Sequence, residues 1–84
     1  MNLYIYAYPA QMITFQLVDN NGKILINENC IFEDIVKTAN KYLNSEEPIY
    51  NFYIIGNTPF ADRILITLKN VFNNKVNIER IENA

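Results

Sequence analysis

The sequence predicts an α/β domain over residues 1–84: a five-stranded mixed sheet of order 3-2-1-4-5, in the chain order β-β-β-α-β-α-β, with two helices on one face. Three observations carry that expectation. Three short apolar runs come first, and Asp19-Asn20-Asn21-Gly22 joins the second to the third, so the first half is antiparallel. Two helical patterns in the second half each lead from one apolar run to the next, which demands parallel pairing through right-handed crossovers. The length suffices for one core and leaves little surplus burial, so a partner subunit is expected from the start.

Each element follows from its own residues. Leu3, Ile5 and Ala7 alternate with Tyr4, Tyr6 and Tyr8, the period of a strand over 2–8, and Pro9 ends it by removing a ladder donor. Met12 to Val18 alternates in the same way. Asn21-Gly22 predicts a tight hairpin because both residues accept positive φ, and Lys23 to Asn27 then forms the third strand. From Cys30 the period becomes helical, with Ile31, Ile35, Val36, Ala39 and Leu43 on one face and Asn29 as the expected N-cap. Glu33 and Asp34 suit the positive end of the helix dipole.

The loop Asn44 to Pro48, with Glu46 and Glu47 facing solvent, closes that helix. Tyr50 to Ile55 is apolar on both faces and belongs inside the sheet. Thr58 caps the second helix with Pro59 in its first turn, and Phe60, Ile64, Leu65, Leu68, Val71 and Phe72 supply its buried face. Val76 to Ile81 is a last strand, whose Asn77, Glu79 and Arg80 mark an exposed edge.

Composition excludes several functions. Half the residues are hydrophobic, and two glycines and three prolines are few, so the chain is ordered. A net charge of −2 and a pI near 4.9 provide no basic field for phosphate backbones, which argues against nucleic acid as a partner. With no histidine and only Cys30, the usual zinc sites, His-based triads and an internal disulfide are excluded, and no cofactor is expected. No stretch is long and apolar enough to cross a bilayer, and Met1 to Pro9 lacks the basic lead-in and cleavage pattern of a signal peptide. A cytoplasmic location is the expectation. About one residue in six is asparagine, and isoleucine and tyrosine are abundant, the bias of AT-rich coding DNA in a low-GC bacterium or one of its phages.

The layout Leu3-Tyr4-Ile5-Tyr6-Ala7, the hairpin Phe15 to Leu25, and Tyr53-Ile54-Ile55-Gly56-Asn57-Thr58-Pro59 leading into a helix resembles the core of the ribonuclease-H-like superfamily, particularly its Holliday-junction-resolvase branch. The resemblance lies in element order and hydrophobic pattern over nearly the whole chain. It implies metal-binding carboxylates on the first strand, at the end of the fourth and on a later helix, because two divalent cations must clamp the scissile phosphate. Tyr6, Ala7, Gly56 and Asn57 stand at the strand positions instead, and the 84 residues end with the fifth strand. The resemblance therefore implies a degenerate member without nuclease activity.

Two candidate sites remain. Tyr4, Tyr6 and Tyr8 point away from the helices onto a face with Tyr53, rigid, apolar in body and polar at the tip, where another protein or a second copy could bind. The alternative is that the rings only pack on same-sheet neighbours such as Thr14, Gln16, Asn51 and Tyr53. The helix start Gly56-Asn57-Thr58, with Arg63 one turn on, offers backbone N–H groups to an anionic small molecule or nucleotide, although capping alone accounts for Thr58 and Pro59. Asp19 reads as a turn residue, and Cys30 as either a thiol activated at a helix start or a buried and inert one. The expected role is a non-enzymatic protein-interaction module that works through the tyrosine-bearing sheet face or an exposed strand edge, of the kind a phage or mobile element uses to modulate a host protein. A homodimer, a small-molecule-binding domain and a remnant nucleic-acid-binding module are the other expectations.

Overall fold

The computed structural model describes residues 1–56 and 59–81. Five strands, β1 (Asn2–Tyr8), β2 (Met12–Val18), β3 (Ile24–Cys30), β4 (Asn51–Ile55) and β5 (Asn77–Ile81), form one sheet of order β3-β2-β1-β4-β5. β1 pairs antiparallel with β2 and parallel with β4, β2 pairs antiparallel with β3, and β4 pairs parallel with β5. This is the expected topology, with α1 (Ile35–Leu43) and α2 (Pro59–Phe72) as the crossover helices.

Both helices cover one face. Directly paired residues share a face, so Leu3, Leu17, Phe52 and Ile78 form one buried row and Ile5, Phe15 and Ile54 the next. Phe15 stacks on Tyr42 of α1 at 5.8 Å, while Phe52 meets Phe72 of α2 edge-on at 6.1 Å. The core is thus a single layer between sheet and helices.

Four sequence expectations need correction. β3 does not stop at Asn27 but runs to Cys30, with Asn29 opposite Thr14 and Cys30 opposite Ile13. Asn29 is therefore a strand residue and not a cap. The helix enters through a short 3-10 turn at Phe32–Asp34, which leaves Ile31 exposed, and α1 buries Ile35, Ala39 and Tyr42 while Val36 and Leu43 are only half-buried. On α2 the buried face is Ala61, Ile64, Leu68 and Phe72, and Val71 lies on the solvent flank.

The fourth correction concerns turns. Between β2 and β3 only Gly22 has positive φ, at 84°, and Asp19 organises the loop by accepting from the backbone N–H of Asn21 and Lys23, both at 2.9 Å. Its role as a turn residue is direct. The β1–β2 turn instead places Ala10 and Gln11 at φ 63° and 59°, a conformation that costs a side-chain-bearing residue about 1 kcal/mol. That twist suits a tight hairpin, and Tyr8 and Met12 face each other across it.

Candidate interaction surface

The face opposite the helices is built by strand alternation alone. Successive rows across the sheet read Asn29, Thr14, Tyr6, Ile55, Ile81, then Asn27, Gln16, Tyr4, Tyr53, Glu79, with Asn2, Asn51 and Asn77 aligned below. Tyr8 and Met12 close the upper end. Tyr4 stacks on Tyr53 with centroids 5.3 Å apart, and Tyr6 lies nearly parallel to Tyr8 at 6.1 Å. Tyr4, Tyr6 and Tyr53 are half-buried by this mutual packing, whereas Tyr8 is 47% exposed and Met12 52%. Packing on same-sheet neighbours and presentation to solvent therefore coexist in one patch. Burial first, then the Tyr8 and Tyr4 hydroxyls, raise the Tyr6 phenol above its ordinary value, so it stays a neutral donor.

Charge is nearly absent here. Among the described residues of these rows Glu79 is the one ionisable group other than the tyrosines, and there is no lysine or arginine. The asparagines are tied to one another: Asn51 Nδ2 donates to Asn2 Oδ1 at 3.0 Å, and Asn77 Nδ2 donates to Asn51 Oδ1 at 2.9 Å.

The helix-start candidate has a structural use for its described members. A Cβ on Gly56 would lie 3.1 Å from the Ala7 carbonyl oxygen and 3.2 Å from the Ala61 Cβ, so the glycine lets β4 and α2 close on β1. Arg80 Nε donates to the Gly56 carbonyl at 3.0 Å, and Arg80 also pairs with Asp62. Arg63 places its guanidinium 4.2 Å from the Phe32 ring centroid, and Phe32 in turn packs against Phe60. Asn57 and Thr58 lie outside the described residues. Among the described residues no three His, Cys, Asp or Glu side chains converge as a metal site would require.

Sequence reasoning missed the cluster that holds β3 to α1. Glu28 Oε1 accepts from Lys41 Nζ at 2.6 Å and from the Tyr42 hydroxyl at 2.5 Å. The signal was the burial of Tyr42, which needs a partner for its hydroxyl. The Lys41 hydrogen bond, then that of Tyr42, holds the Glu28 carboxyl below the usual carboxylate range, while burial first and then Glu28 raise the Tyr42 phenol. Next to this cluster, burial pushes the Cys30 thiol up, and its Sγ donates to the Ile31 carbonyl at 3.3 Å, the environment of an inert thiol.

A pH dependence follows from Glu28. Its folded pKa lies below its unfolded one, so its contribution to stability is present above about pH 4.5 and is lost as pH falls through the folded value. Glu28→Gln should melt below the parent at pH 7 and lose less further stability between neutral and acid pH. Thermal melts of both proteins at the two extremes check this. Equal acid-side losses would remove Glu28 as a source of the pH dependence.

The chain matches no family model and no curated protein. Among the described residues no helix is long and apolar enough to cross a membrane.

Proposed function

We propose that this chain is a non-catalytic interaction module, degenerate with respect to the ribonuclease-H-like layout it resembles, which binds another protein through the tyrosine face of its sheet in the cytoplasm. The observation that carries the proposal is an aromatic surface without cationic residues: Tyr4, Tyr6, Tyr8 and Tyr53 with Met12 and Ile55, rimmed by asparagine and glutamine amides. Protein interfaces favour tyrosine and methionine and exclude charge from their centres. Single-stranded nucleic acid also stacks on such platforms, but it needs a positively charged groove, which neither these rows nor a net charge of −2 supplies. Binding in place of chemistry is supported by Ala7 and Gly56, which pack against each other at positions where the resemblance calls for acids.

Tyr6→Ser combined with Tyr8→Ser tests the proposal. Tagged parent and variant are compared for stoichiometric capture of protein from the native host, with quantitative mass spectrometry, alongside thermal melts. The variant should lose most of the captured partner while its Tm stays near that of the parent, because the two rings are half-buried or exposed and lie outside the core. A folded variant that captures the same partner equally well removes the face from the binding surface, and one that unfolds reassigns the tyrosines to the core.

A further inference from the structure

We infer that the outer edge of β3 pairs with the same edge of a second copy of this chain, antiparallel, joining two sheets into one. The inference stands on the edge and is independent of the tyrosine face. The two edges of the sheet differ in kind. β5 is short, carries Asn77, Glu79 and Arg80, and is flanked by the Arg80–Asp62 pair, the charged and abbreviated form that resists further pairing.

β3 carries no charged side chain over its first three residues. Ile24, Leu25 and Ile26 are 51%, 46% and 44% exposed, three consecutive aliphatic residues that make both faces of the edge apolar. α1 reaches β3 further along, at Glu28 and Cys30, and leaves this stretch uncovered. The irregularity opposite Leu17 and Val18 falls between Ile24 and Ile26, at the centre of the stretch, and from Ile26 to Cys30 the pairing with β2 is even, so the outer backbone groups are regularly spaced on that side of the centre.

Charge selects a second copy running in the opposite direction. Lys23 sits just before the aliphatic stretch and forms no ion pair among the described residues, while Glu28, whose Oε1 is already held by Lys41 and Tyr42, sits just after it. In an antiparallel self-pairing centred on Leu25 or Ile26, Lys23 of each copy falls within one position of Glu28 of the other. A parallel arrangement sets like charges side by side. The aliphatic stretch lies at the centre and covers itself. The two-fold axis then runs through the sheet, so both tyrosine faces look the same way, their central strands five strand spacings or about 24 Å apart. An edge contact of this kind buries on the order of 1,000 Å² and gives a concentration-dependent dimer.

Sedimentation velocity of the full chain across the micromolar range tests the inference on three proteins. The parent should show a monomer–dimer equilibrium, and Ile24→Lys combined with Ile26→Lys should raise its dissociation constant at least about tenfold, because four lysines then meet at the seam. Tyr6→Ser with Tyr8→Ser should dimerise like the parent, which separates this contact from the tyrosine face. Should the lysine variant lose its fold by circular dichroism, hydrogen exchange of the parent decides: amides within 24–28 should slow as concentration rises. A parent that is monomeric throughout, a folded lysine variant that dimerises like the parent, exchange in β3 independent of concentration, or a dimer lost in the tyrosine variant would each overturn the pairing.

Discussion

Replacing Phe52 with alanine should remove about 4 kcal/mol of stability, the largest single-residue effect expected in this chain. The side chain is fully buried, sits between Leu3 on β1 and Ile78 on β5, and meets Phe72 of α2 edge-on. Its loss opens a cavity where three strands and a helix meet, and no neighbour is free to fill it. A domain of this size is held by on the order of 4–12 kcal/mol in total, so the variant should be largely unfolded at 37 °C or melt far below the parent. Urea titration followed by circular dichroism gives the difference directly. Phe52→Leu keeps most of the volume and should cost well under half as much. An alanine variant with a near-parental midpoint would mean that the two aromatic rings do not organise this part of the core.

Gly56→Ala should cost about 3 kcal/mol, from overpacking and backbone strain together. The residue has φ 154°, and the added methyl meets the Ala7 carbonyl oxygen, the Ala7 Cβ and the Ala61 Cβ, all within 3.2 Å. Gly22 is the built-in control. It has φ 84° with nothing within 4 Å of the same methyl, so Gly22→Ala should lose only the backbone preference, about 1 kcal/mol. The two variants are compared by thermal melts. Equal losses would mean that crowding at Gly56 contributes nothing and that backbone conformation alone sets both values.

The legible part of this fold was what local pattern determines. Alternation placed β1, β2 and β4 within a residue of their observed limits, and the mixture of hairpin and crossovers fixed the strand order. The extension of β3 was illegible because Glu28 and Asn29 are poor strand formers. They are held there by the full length of β2 beside them and by Tyr42 and Lys41 reaching Glu28 from α1, neither of which is local in sequence. The turn at Ala10 and Gln11 was hidden for the opposite reason, since no glycine or asparagine announces its positive φ values. For the candidate surface, the tyrosines could be assigned to the uncovered face by parity. The stacking of Tyr4 on Tyr53 depends on β1 and β4 being neighbours in the sheet.

The asparagine ladder bears on how this chain avoids misfolding. β1, β4 and β5 are parallel and far apart in sequence, so no tight turn tells one strand where to begin along the next. Hydrophobic alternation forbids a slip of one residue, because it would turn Ile54 outward and Tyr53 inward, but a slip of two preserves every inside–outside assignment. In that shifted arrangement Asn51 faces Tyr4 instead of Asn2 and their half-buried amides part at a cost of about 1 kcal/mol, and a like slip of β5 against β4 parts the more exposed Asn77 from Asn51. Asn2, Asn51 and Asn77 thus act as a proofreading mark for strand alignment, penalising near-native decoys that the apolar core alone would accept.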